Sequence, residues 1–262
     1  MKCRDIIEIL EQEVPLYAAE GWDNPGFLIG DRTQEVKKIL VVLDITNEVV
    51  EKAIEVGADF ILAHHPIIFS SMKRCTDENF IQKKMLQLIH HQISCYGMHT
   101  NYDVCRMGEQ IAKRLSFCPQ EALELTKNPK LREEGKGIGM IGNLTKPVTL
   151  EAYGQKIKKA FSLDSITIFG DLEHKVQKLA FVPGSGRSMI YEAVKKQADV
   201  LITGDIGHHE GLDAIDMGLS IIDAGHYGLE QIFIDDMSQL LSDKLPECEI
   251  ISYKAGVPYK VI

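Results

Sequence analysis

Residues 37–62, KKILVVLDITNEVVEKAIEVGADFIL, align without a gap on residues 177–202, QKLAFVPGSGRSMIYEAVKKQADVLI, at an offset of 140. Lys38 falls on Lys178, Val42 on Val182, Ala53 on Ala193, and Ala58-Asp59 on Ala198-Asp199. Each copy reads as an apolar run of strand length, a turn, a helix and a second apolar run. Short runs rich in β-branched residues fit strands buried on both faces. Few positions are identical, but the element order is the same in both copies, and so are the polar residues that follow. The internal repeat therefore reads as a duplication.

Outward from these copies the alternation continues. Residues 3–13 read as a helix, with Cys3, Ile6, Ile7, Leu10 and Val14 on one stripe. Residues 47–57 read as a helix closed by Gly57, and residues 78–91 as a helix aligning Ile81, Met85, Leu88 and Ile89. ISCYGMHTNYD (93–103) and LSIIDAGHYGLE (219–230) each supply a third strand running into a loop. Strands alternating with helices predict βαβ units and a largely parallel sheet in each of two related α/β lobes. The polar, breaker-rich stretch TKNPKLREEGKG (126–137) reads as the boundary. It gives a first lobe over 1–125 and a second over 126–262, with the C-terminal helix and strand free to pack back on the first.

The 262 residues suffice for a sizeable core, and 45% hydrophobic with 26% charged residues is an ordinary globular balance. A net charge of −9 argues against a protein that neutralises nucleic-acid phosphates. The start MKCRDIIEILEQEVP has no apolar signal core, and no apolar run reaches the roughly 18 residues a membrane span needs. Six cysteines without a CxxC pair read as reduced thiols, so a cytoplasmic location is expected.

In open parallel sheets, ligands gather at the carboxyl ends of strands. Six of the nine histidines fall at such ends: His64 and His65, His99, His208 and His209, and His226. Asp103, Asp205 and Glu230 accompany them. Imidazole and carboxylate suit borderline divalent metals such as Zn, Fe and Mn. Adjacent histidines in an extended segment point to opposite sides, which suits two ions better than one. Glu230, with its longer reach, is the candidate bridge. His208, His209 and His99 are candidate acid/base groups. The Gly184-Ser185-Gly186 turn reads equally as an anion cradle or a tight strand-to-helix turn. Trp22 reads as a buried anchor, Asp23 and Asn24 as turn formers, and the stripe Phe233, Met237 and Leu240 as core or subunit interface.

GWDNPGFLIGD (21–31), ILAHHPIIF (61–69), MHTNYDV (98–104), VPGSG (182–186), ADVLITGDIGHHE (198–210) and DAGHYGLE (223–230) occur in this order. Together they resemble the family of GTP cyclohydrolase 1 type 2 homologs, the NIF-three-like proteins. The resemblance runs from about Trp22 to Glu230. It implies two α/β lobes with a dinuclear metal site in the cleft between them, and a toroidal homohexamer. By motif, His64 and Asp103 would hold one ion, His65 and His226 the other, and Glu230 would bridge; His99 looks like a supporting or alternative ligand. Asp205 stands where the family commonly has Glu, and Pro25 where it often has Val. The expected function is a dinuclear-metal-dependent hydrolase acting on a small molecule, a nucleotide or related heterocycle, with no membrane or nucleic-acid partner. The alternative is a metal-binding regulatory or assembly protein without turnover.

Overall fold

A computed structural model describes residues 1–261. The chain forms two compact units. One comprises Met1–Tyr102 with Phe233–Gly256, the other Asp103–Ile232 with residues 257–261. In chain order, strands β1 (Gly26–Ile29), β2 (Lys38–Val42), β3 (Phe60–Ala63) and β4 (Ser94–Gly97) lie in the first unit. Strands β5 (Glu121–Leu125), β6 (Gly137–Thr149), β7 (Thr167–Phe169), β8 (Lys175–Ser185), β9 (Val200–Gly204) and β10 (Ser220–Asp223) lie in the second, and β11 (Glu249–Ser252) belongs to the first.

Among the described residues the sheet orders are β1-β4-β3-β2-β11 and β5-β6-β8-β9-β10-β7. Read from its other edge, the second begins β7-β10-β9-β8, the order of β1-β4-β3-β2. In each unit the three inner strands of this series run parallel and the edge strand, β1 or β7, is antiparallel. The two sheets therefore have parallel centres and α/β connections. β2, β3, β8 and β9 are buried along most of their length, as their continuous apolar runs require.

Hydrogen bonds repeat at the same offset as the sequence. Asp59 Oδ2 accepts from the main-chain N–H groups of Lys37 and Lys38 at 2.8 and 3.0 Å. Asp199 Oδ2 accepts from Gln177 and Lys178, both at 2.7 Å. Each aspartate opens the second strand of its copy and ties down the start of the first. Gly30, at φ 125°, packs on Ser94, and Gly170, at φ 134°, packs on Ser220. The duplicated reading thus extends to β1 and β7, which the sequence alignment did not reach.

The helix Asn47–Val56 is capped by Thr46 Oγ1 accepting from Val49 N, and it ends on Gly57 at φ 64°. A left-handed C-terminal residue of this kind favours glycine. Its buried face, Val49, Val50 and Ala53, joins Leu40, Val42 and Ile61 in the first unit's core. Ala193, Ile190, Leu201 and Ile221 do the same in the second.

Two expectations need correction. The stretch 126–137 is not a boundary: it joins β5 to β6, which pair antiparallel, so its turn residues serve a hairpin inside the second unit. The units part at Tyr102/Asp103. Trp22 is no buried anchor; it is 59% exposed. The stripe beginning at Phe233 does enter the core, with Phe233 and Met237 fully buried.

Candidate metal centre

β3 delivers the first pair of candidates. His64 N donates to Val42 O at 3.2 Å and His65 N to Leu43 O at 2.9 Å, so ladder bonds hold the chain just beyond the strand's end. The chain bends there, and the two rings do not splay to opposite sides as an extended segment would make them. Their centroids lie 4.9 Å apart. His99 follows β4, with its ring 5.3 Å from His64 and 5.5 Å from His65. One potential ligand atom from each of these three side chains falls within 4.8 Å of the others, close enough to share an ion. The structure thus brings His99 into the donor set alongside His64 and His65.

Each ring is held at Nδ1. His64 Nδ1–H donates to Met98 O at 2.8 Å, His65 Nδ1–H to Asp44 Oδ1 at 2.7 Å, and His99 Nδ1–H to Asp23 Oδ1 at 2.8 Å. A carbonyl or carboxylate can only accept, so these bonds fix the tautomer and leave Nε2 as the nitrogen through which each ring would hold an ion. Asp23 is well anchored. Its side chain is fully buried and also accepts from Thr100 N at 3.0 Å and Thr100 Oγ1 at 2.5 Å. Burial alone would raise its pKa, but the bonds from His99 and Thr100 outweigh that and hold it down to about 2.

The second unit builds a comparable set. Gly225, at φ 76°, turns the chain out of β10 into the helix His226–Glu230. His226 and Glu230, four residues apart, share one helix face, with Nε2 and Oε2 3.0 Å apart. His226 Nδ1–H donates to Asp205 Oδ2 at 2.7 Å. Asp205 itself sits at φ 59°, a left-handed conformation that costs most residues energy and is best tolerated by Asn and Asp among non-glycines. Asp223 fastens both loops, accepting from Ile206 N and Gly225 N, each at 2.9 Å. Gly204 lies where any side chain would collide with the backbone of His226, and Gly184 where one would collide with the Glu230 carboxylate. Glu230 is only 4% exposed.

Asp103 opens the helical turn Asp103–Met107 at the start of the second unit's residues. His208 and His209 begin the helix His208–Asp216 at solvent, with their rings 5.3 Å apart, and neither joins a cluster of metal-capable donors among the described residues. Gly184 and Ser185 end β8, and Gly186 turns the chain into the helical residues that follow. The helix Ile190–Lys195 is short, and Gly186 is demanded by the nearby Thr203 side chain, so the tight-turn reading accounts for it. Sequence reasoning missed Asp44 altogether. Its signal was a carboxylate closing the apolar run ILVVLD, the same strand-end position as the histidines.

Residues 1–256 match the Duf34/NIF3 (NGG1p interacting factor 3) family. The chain belongs to this family. As a NIF3 protein it is 35% identical over 266 residues to the GTP cyclohydrolase 1 type 2 homolog of Clostridium perfringens, covering all of both chains. It is also 35% identical over 248 residues to the protein of that name from Streptococcus pneumoniae, covering 92% of this chain and 91% of that one. Among solved structures, reduced HcgD from Methanocaldococcus jannaschii matches with a TM-score of 0.83 at 29% identity, covering 98% of each chain. The Bacillus cereus protein related to NIF3 matches with a TM-score of 0.87 at 23% identity, covering 100% of this chain and 99% of that one, a likeness of fold. This NIF3 chain carries candidate His/Glu metal-binding groups, and no helix among its described residues is long and apolar enough to cross a membrane.

Proposed function

We propose that this NIF3-family protein is a metal-dependent hydrolase that uses two divalent ions, Zn, Fe or Mn, and acts on a nucleotide or related heterocycle. One observation carries the reading: His64, His65, His99 and His226 each have Nδ1 engaged by a carboxylate or main-chain carbonyl. Any buried histidine bonds its ring N–H, but a metal-binding one almost always does so through the nitrogen opposite the ion, and here His64, His65 and His99 also bring a potential ligand atom each within 4.8 Å of one another. In this reading His64, His65, Asp103, His226 and Glu230 would hold the ions, with Glu230, nearly buried and with two oxygens to offer, the candidate for holding both. Divalent ions in such a set would supply Lewis acidity and a water that loses its proton near neutral pH.

The chain's own residues would do the rest. His99, whose Nδ1 proton is committed to Asp23, would use Nε2 to join the ion held beside His64 and His65 or, where that ion needs no further ligand, to accept a substrate proton. Asp44 and Asp205 keep His65 and His226 in one tautomer. His208 and His209 enter the proposal as groups that contact substrate, because they are exposed at a helix start. The names of the curated relatives support the choice of a nucleotide. Assembly as a homohexamer is carried into the proposal by the family resemblance.

The test is metal analysis of the purified protein together with turnover against a nucleotide panel including GTP, with Glu230→Ala beside it. Two ions per chain and turnover abolished in the variant are expected. Full activity in Glu230→Ala would sink the mechanism. Two ions with no turnover of any nucleotide would instead favour a metal-binding regulatory or assembly role.

A further inference from the structure

We infer that Trp22 and Phe69 form a stacking platform for the planar base of a nucleotide beside the first unit's histidines. The inference deepens the hydrolase reading and rests on it. Both side chains are large, apolar and exposed, Trp22 at 59% and Phe69 at 52%. Their rings lie 6.0 Å apart at 52°. Both also face His99, Trp22 at 6.0 Å and 77° and Phe69 at 6.5 Å and 73°. His99 in turn touches His64 and His65. A single exposed aromatic residue needs no explanation. Two that converge on a ring of the candidate metal site are a different matter.

The backbone under these rings is fixed. Asp23, next to Trp22, is buried against His99 and Thr100. Asn24 Nδ2 donates to Ile68 O, next to Phe69, at 2.6 Å, tying the two loops together. Exposed rings on a locked backbone lose little entropy when a ligand covers them. A purine suits the place: its π-face stacks on an aromatic ring, an attraction that needs no positive charge from a chain whose net charge is −9. Its phosphate or exocyclic groups could then lie toward the imidazoles.

Trp22 is the only tryptophan in the chain, so its fluorescence reports on this surface alone. The full-length protein would be titrated with GTP and ATP, and separately with ribose 5-phosphate and inorganic triphosphate, each with and without Zn²⁺. Metal content would be measured on the same samples. Saturable quenching by the base-bearing ligands only is expected. Phe69→Ala should weaken that binding about tenfold, and Trp22→Ala should weaken GTP retention in equilibrium dialysis with metal content unchanged. Absence of quenching by either nucleotide, or unchanged GTP retention in both variants, overturns the platform. If those samples hold metal, the hydrolase reading survives that result. Fluorescence that changes with protein concentration alone, with a rising molecular mass, would assign the surface to a second copy of the chain and equally overturn the platform.

Discussion

Gly184 lies directly against the carboxylate of Glu230: a methyl carbon built on its Cα would overlap Oε1 and approach His226 Nε2 to 3.5 Å. The same residue sits at φ 69°, where any L side chain is strained. The C-terminal end of β8 therefore leaves room for the candidate bridging carboxylate. Gly184→Ala is expected to push Glu230 aside and to destabilise the protein by about 2–4 kcal/mol, combining left-handed strain with overpacking. Calorimetry and metal analysis together check it. An unchanged metal content and melting temperature would show that Glu230 can move without cost.

The aspartates Asp44 and Asp205 hold His65 and His226 through Nδ1. Asparagine preserves their size but replaces a charged acceptor with a neutral one. Asp44→Asn and Asp205→Asn are expected to weaken metal affinity about 10- to 100-fold. Both aspartates are half exposed, so the fold should scarcely notice. Competition with a chelator measures the affinity, and a urea titration serves as the control. Loss of stability without loss of affinity would make the two aspartates structural.

Equivalence between the two copies can also be tested. Asp59 and Asp199 each accept two main-chain N–H groups at the start of the neighbouring strand. Hydrogen bonds to a charged acceptor contribute about 1.5–3 kcal/mol each. Asp59→Ala and Asp199→Ala should each lower unfolding free energy by roughly 2–4 kcal/mol, because water can replace part of each bond. Urea denaturation of both variants would reveal a silent copy, if one exists, as an unshifted midpoint.

The parts of this architecture that could be read from the sequence were those set by burial. β2, β3, β9 and the run Leu179–Val182 of β8 announce themselves because both faces are covered and nearly every residue is apolar. β1 and β7 are short antiparallel edges inside turn-rich sequence, and only their position relative to Ser94 and Ser220 reveals them. The strand-end histidines stood out by residue type, but the meeting of His64 and His65 with His99 depends on a bend after Ala63 that no periodicity encodes. The stretch 126–137 misled because a hairpin connection and a linker use the same residues. The true division, between Tyr102 and Asp103, falls inside a run of helical turns with no breaker to mark it. Trp22 misled because a lone tryptophan is more often covered than displayed.

The cysteines give a prediction that does not depend on metal. Cys3 and Cys95 are fully buried in the first unit. Burial pushes the Cys3 thiol up to about 11, although a bond with Ser94 and the charge of Arg32 pull the other way, and burial raises Cys95 as well. At pH 8 only about one Cys3 in a thousand would be thiolate, the form that reacts. Cys75 and Cys118 are exposed. Brief alkylation of the native protein should therefore mark Cys75 and Cys118 and spare Cys3 and Cys95 until urea is added. The same shifts govern stability at high pH. An unfolded thiol ionises near its ordinary value of about 9, while the folded Cys3 keeps its proton up to about 11. In that window the folded state binds more protons than the unfolded one. Stability contributed by this site is complete below pH 9 and falls as pH rises toward 11, by up to ~1.4 kcal/mol per unit. Cys3→Ala should make the urea midpoint fall less steeply between pH 9 and 10.5 than it does in the parent protein. A parallel fall in both would mean that the Cys3 thiol is not what the folded state protects.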